Sequence, residues 1–103
     1  MSNDNQEALI TALRENFNEA SIPAVKNDIN YEDLRSHLAL YLKTLMRENR
    51  TLLYACLYRI DVSENDVRMA MNQNLSEFIL AELILKKLNE KLYWRNKYKK
   101  TNE

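Results

Sequence analysis

The sequence predicts an all-α protein, a small orthogonal or bundle-like arrangement of four to five helices with the last helix longest. Three observations carry that prediction. No glycine occurs among the 103 residues and proline occurs once, at Pro23, where average usage would supply roughly seven and five. Glycine ordinarily serves positive-φ turns, tight hairpins and phosphate-cradling loops, so its absence argues against a P-loop, a Rossmann loop and a two-residue hairpin. Sixteen leucines with few valines and isoleucines favour helix over strand. Apolar residues also recur at intervals of three and four along most of the chain. Without glycine, asparagine is expected to take the left-handed turn positions.

The first helix is predicted over 4–20. Asp4 and Glu7 have capping-pair spacing, and Leu9, Ile10, Leu13 and Phe17 fall on one face with Ala12 and Ala20. Ser21-Ile22-Pro23 ends it, because proline disfavours helix at the residue before it. A second helix is predicted over 30–48. Asn30 is its N-cap, Asp33 lies in its first turn, and Tyr31, Leu34, Leu38, Tyr41, Leu42, Leu45 and Met46 form one stripe. Leu52, Leu53, Cys56, Leu57 and Ile60 resume that stripe nearly in phase. A single helix over about 31–61 would therefore satisfy the pattern, but polar Glu48-Asn49-Arg50-Thr51 favours a break near Asn49. A third helix is then expected over 51–61, capped by Thr51.

Ser63 caps a short helix over 64–73, with Glu64 and Asp66 at its positive end and Val67, Ala70 and Met71 as its apolar face. Asn74 and Glu77 have capping spacing for a last helix over 75–99. There Phe78, Ala81, Leu85, Leu88 and Leu92 step as a packed seam. Leu75, Ile79, Leu80, Leu83 and Ile84 make its first half apolar nearly all round, which demands burial on several sides. Its end is expected to project or to lie along a second subunit. The length reads as one domain, 1–103, with 1–3 and 101–103 frayed.

The formal charge is zero, but it is unevenly spread. Residues 1–33 carry seven acids (Asp4, Glu7, Glu15, Glu19, Asp28, Glu32, Asp33) against Arg14 and Lys26. Residues 86–100 carry seven bases against Glu90 alone. Either the two ends pair or the basic end meets an anionic partner. Cys56 is the lone cysteine, which excludes an internal disulfide and a cysteine-based zinc site. Its apolar neighbours Leu52, Leu53, Ala55 and Leu57 mark a buried structural thiol. The polar, acidic start does not resemble a signal peptide, and no apolar run approaches the roughly 20 residues of a membrane span. A cytoplasmic location is expected.

Little in the chain suggests catalysis. His37 is the only histidine and sits between Leu34 and Leu38, where a helix-face role is the natural one. A di-iron bundle would need Glu-x-x-His motifs, and none occurs. Glu82, set in an apolar run, is expected to pair with Arg35, Arg59 or Arg68 rather than to act with a raised pKa. A non-enzymatic protein is therefore expected, with no cofactor and no metal site.

Two surfaces stand out for binding. Tyr54 and Tyr58, one turn apart, with Arg59 and Asp61 at the helix end, form a candidate polar patch. They also fit a core edge with Arg59 and Asp61 paired across a helix junction. The second surface is Lys91, Tyr93, Trp94, Arg95, Lys97, Tyr98, Lys99 and Lys100, a candidate for an anionic partner. Cations neutralise phosphates and aromatic rings stack on unpaired bases, although bases at a helix C-terminus also complement its dipole. A helix-turn-helix does not fit, since its recognition helix reads bases near its N-terminal end, which here is Leu75-Ser76-Glu77-Phe78-Ile79-Leu80. The leading expectation is a protein-interaction module that self-associates, a dimer being favoured, through apolar helix faces. Its partner protein is not specified by the residues. Nucleic-acid binding through the basic-aromatic end is the alternative.

Overall fold

Asn30, Asn49 and Ser63 are the residues that punctuate this glycine-free chain. The computed structural model describes residues 3–17 and 29–101, with side chains described for 7–17 and 29–97. It contains five helices, α1 (Asn3–Asn16), α2 (Tyr31–Glu48), α3 (Arg50–Ile60), α4 (Glu64–Met71) and α5 (Ser76–Thr101). No strand occurs among the described residues.

The expected cap of α2 is present: the Asp33 amide donates to Asn30 Oδ1 at 2.8 Å. The break near Asn49 is present too, but its cap is Asn49 rather than Thr51. Asn49 closes one helix and opens the next. Its backbone N–H donates to the Leu45 carbonyl at 2.8 Å, and its side-chain oxygen accepts from the Leu52 amide at 3.1 Å. Arg50 Nε reaches back to the Met46 carbonyl at 3.1 Å, satisfying another acceptor at the end of α2. Ser63 Oγ accepts from the Asp66 amide as expected, at 3.4 Å.

Other boundaries differ from the expectation. α1 begins at Asn3, so Asp4 lies inside it; the Asp4 side chain lies outside the described residues. α1 stops at Asn16, whose side-chain amide donates to the Ala12 carbonyl at 2.8 Å, and Phe17 is already a bend. The rest of the predicted first helix, 18–20, and the break at Pro23 lie outside the described residues. α4 ends at Met71, two residues before its expected end. Asn74 makes no capping bond among the described residues; the residue before α5 is Leu75, with φ 58°, whose carbonyl accepts from the Phe78 amide.

The left-handed positions among the described residues are thus Asp61 and Leu75, not asparagines. Asp61 completes a Schellman turn: its N–H donates to the Tyr58 carbonyl at 3.0 Å and the Val62 N–H to the Leu57 carbonyl at 3.1 Å.

All five helices contribute to one cluster of buried side chains, including Leu9, Leu13, Leu42, Leu53, Ile60, Ala70, Leu80, Ile84 and Leu85. α5 packs against each of the other four helices, most extensively α2. This explains why its first half is apolar on nearly every side. At 1.5 Å per residue, its 26 residues reach about 39 Å. The leucine stripes are thereby covered within the chain. Large apolar side chains left exposed include Leu40, Tyr54, Tyr58, Met69, Tyr93 and Trp94.

Candidate functional site

The α3–α4 junction builds the first candidate surface. The Schellman turn at Asp61 carries the chain from α3 toward α4 and sets Val62 beside Leu57. Tyr54, Leu57, Tyr58, Val62, Val67 and Met71 then line a groove of about 530 Å³ between the two helices, with Glu64, Arg68 and Asn72 on its border. Tyr58 is 85% exposed and protrudes. The predicted polar patch is therefore divided. Tyr54 and Tyr58 belong to this groove, while Asp61 lines a separate depression with Asp66, Lys86, Lys87 and Glu90. Arg59 and Asp61 form no ion pair with each other among the described residues. Arg59 acts instead on Cys56: burial pushes that thiol upward, and the guanidinium partly opposes the shift. Cys56 is buried, as its apolar neighbours implied.

The second surface lies along the exposed end of α5. Tyr93 and Trp94 meet edge to face with ring centroids 5.4 Å apart, and Lys97 Nζ stands 5.2 Å from the Trp94 ring centre. Together with Tyr31 of α2, Glu82, Lys86, Asn89 and Glu90, the two rings line a shallow depression of about 590 Å³. Glu82 is a flank residue, its side chain 61% exposed, and it pairs with Arg35 at 3.6 Å. Arg35 also lies 5.7 Å from the Phe78 ring centre. Glu90 pairs with Lys87 at 3.9 Å. The Tyr31 phenol is pushed above its ordinary value by burial first and by Glu82 second, with Arg35 opposing.

The basic residues do not share one face. At 3.6 residues per turn, Lys91 and Arg95 stand roughly 160° around the helix from Tyr93. Lys86 and Lys97 fall on the Tyr93 side. Tyr98, Lys99 and Lys100 continue α5, and their side chains lie outside the described residues.

Comparison with family models, with curated proteins and with solved structures finds no match. Chemical meaning therefore rests on these surfaces alone. His37 is half-buried on α2, as expected of a helix-face residue. No cluster of three or more potential metal-ligating side chains occurs among the described residues. No helix among them is long and apolar enough to cross a membrane.

Two features escaped sequence reasoning. One is the groove itself, which needs the Schellman turn to bring Val62 and the predicted α4 face of Val67 and Met71 beside α3. The other is the placement of Tyr31 in one depression with Tyr93 and Trp94, which no local pattern encodes.

Proposed function

We propose that the chain is a non-catalytic helical interaction module that forms a two-fold dimer through its α3–α4 face. The supporting observation is that this face carries both a knob and a hole. Tyr58 protrudes at 85% exposure beside an apolar groove of about 530 Å³. A two-fold contact places the same patch of each subunit against its copy, so one subunit's knob meets its partner's hole and the reverse. The border groups also suit this arrangement, because Glu64 of one copy can face Arg68 of the other twice over. Tyrosine and methionine are residue types enriched at such interfaces. Since the leucine stripes are covered within the chain, self-association falls to these tyrosines instead. A cytoplasmic location belongs to the same proposal, which a single buried cysteine suits.

Sedimentation equilibrium at tens of micromolar tests the reading. Wild type is expected to be dimeric and Tyr58→Ala predominantly monomeric. Glu64→Arg is expected to weaken the dimer, and the double variant Glu64→Arg/Arg68→Glu to restore it. A monomeric wild type, or a dimer indifferent to Tyr58→Ala, refutes it.

A further inference from the structure

We propose that the exposed end of α5 is a binding surface for single-stranded nucleic acid, with Trp94 and Tyr93 as the stacking platform and Lys86 and Lys97 as the phosphate contacts. Four observations converge on it. Tyr93 and Trp94 are 60% and 51% exposed, an uncommon placement for two large rings on one helix turn unless something covers them. Residues 86–100 hold seven bases against one acid. The acids that line the depression are paired, Glu82 with Arg35 and Glu90 with Lys87, and Lys86 lines it beside the rings. Lys97 lies against the Trp94 ring at 5.2 Å. A stacked base binds an aromatic ring more strongly than an exposed ammonium does. It would take that face of Trp94 and release Lys97 toward the adjoining phosphate.

The same geometry disfavours a lipid surface. A membrane-lying helix needs one continuous apolar face opposite its basic face. Here the two rings lie on the same half of the helix as Lys86, Lys87, Lys91, Arg95 and Lys97, and Leu85 and Leu88 opposite them are buried in the core. Stacking needs no such face. It needs unpaired bases, so single strands should bind better than duplex. Stacking and phosphate contacts do not distinguish the two sugars, so DNA and RNA strands should bind alike.

The chain reports on this itself, since Trp94 is its only tryptophan. Full-length protein is titrated with unlabelled mixed-sequence 12-mers of single-stranded DNA, single-stranded RNA and duplex DNA, at about 50 and 150 mM salt. Trp94 emission and the anisotropy of a labelled strand are followed. Quenching by either single strand is expected, with weaker binding to duplex. Trp94→Ala is expected to weaken binding about tenfold or more, and Trp94→Phe to recover most of it. Lys86→Ala/Lys97→Ala is expected to lower the salt slope by about 1.4, from two phosphate contacts at 0.7 each. Lys91→Ala/Arg95→Ala, away from Tyr93 and outside the depression that both rings line, is expected to have the smaller effect. The proposal is overturned by no binding at the lower salt or by tighter binding to duplex. It also falls if the Lys86/Lys97 and Lys91/Arg95 double variants lose affinity equally while Trp94→Ala loses none, or if phosphatidylserine vesicles bind where the strands do not.

Discussion

Asn49→Ala separates two accounts of residues 31–60 by the sign of its effect. In the structure Asn49 is non-helical, with φ −156° and ψ 75°, and its side chain caps α3 through the Leu52 amide at 3.1 Å. Alanine keeps the backbone bond to Leu45 but removes the cap. Loss of an asparagine cap costs about 1 kcal/mol, within roughly 0.5–2. Asn49 is exposed, so no packing loss accompanies it. If α2 and α3 were instead one continuous helix, residue 49 would be an exposed interior position. Alanine would then stabilise it by about 0.6 kcal/mol through helix propensity. The two expectations therefore lie on opposite sides of zero, about 1.6 kcal/mol apart in all. Urea unfolding followed by far-ultraviolet circular dichroism resolves a gap of that size. In thermal melts, destabilisation by about 1 kcal/mol is expected to lower Tm by about 4–8 °C in a domain of this size. Asn49→Ser retains a capping oxygen and should fall close to wild type. An alanine variant at least as stable as wild type would refute the two-helix reading, the more so if the serine variant were weaker.

Leu85→Ala empties a position with no exposure at the centre of α5 and should cost about 2–5 kcal/mol in urea unfolding; Leu40→Ala, at 62% exposure, should stay within about 0.5 kcal/mol. Leu75→Asn should raise Tm by a few degrees, because leucine in the left-handed region costs about 1 kcal/mol more than a residue that tolerates it, and at 66% exposure the side chain gives up little burial. Stability should decline in alkali: folding raises the Cys56 thiol above its ordinary 9.0 and the Tyr31 phenol above its ordinary 10.0, so both favour the folded state fully below those values and lose that contribution as pH rises through the folded ones. Urea midpoints at pH 8 and about pH 10.5 check the direction, and a Cys56→Ala variant that loses none of the decline would remove the thiol from the account.

The parts of this fold that were legible in the sequence are those encoded within one helical turn. Asn30 and Ser63 are caps because each side chain reaches an amide three residues on, and the sequence displays that spacing directly. The break between α2 and α3 was legible for the same reason. Its exact residue was not, because Asn49 and Thr51 are both capable caps, and only Asn49 can close α2 with its backbone while opening α3 with its side chain. Leu75 shows a different limit: nothing about an apolar residue ahead of an apolar helix marks it as left-handed, and the strain is imposed by the turn that α4 and α5 must make. Glu82 read as a charge inside an apolar run, yet a run that is buried on several sides still has a flank, and Arg35 waits there. That Tyr31 lines one depression with Tyr93 and Trp94 follows only from how α2 packs on α5, and so no reading along the chain could supply it.

The residues that hold the fold and those proposed to bind are separate, and this determines how variants should be interpreted. The core draws on Leu42, Leu53, Ile60, Leu80, Ile84 and Leu85, each without measurable or significant exposure. Both proposed surfaces use rings that the core does not need, such as Tyr58 and Trp94. Substitution of an exposed side chain away from caps and core usually changes stability by less than about 0.5 kcal/mol. Loss of dimer in Tyr58→Ala, or of strand binding in Trp94→Ala, would then report on contact with a partner rather than on unfolding. The α3–α4 groove and the Tyr93–Trp94 depression also share no lining residue. The two proposals thus rest on different side chains, so each can fail without removing the grounds for the other.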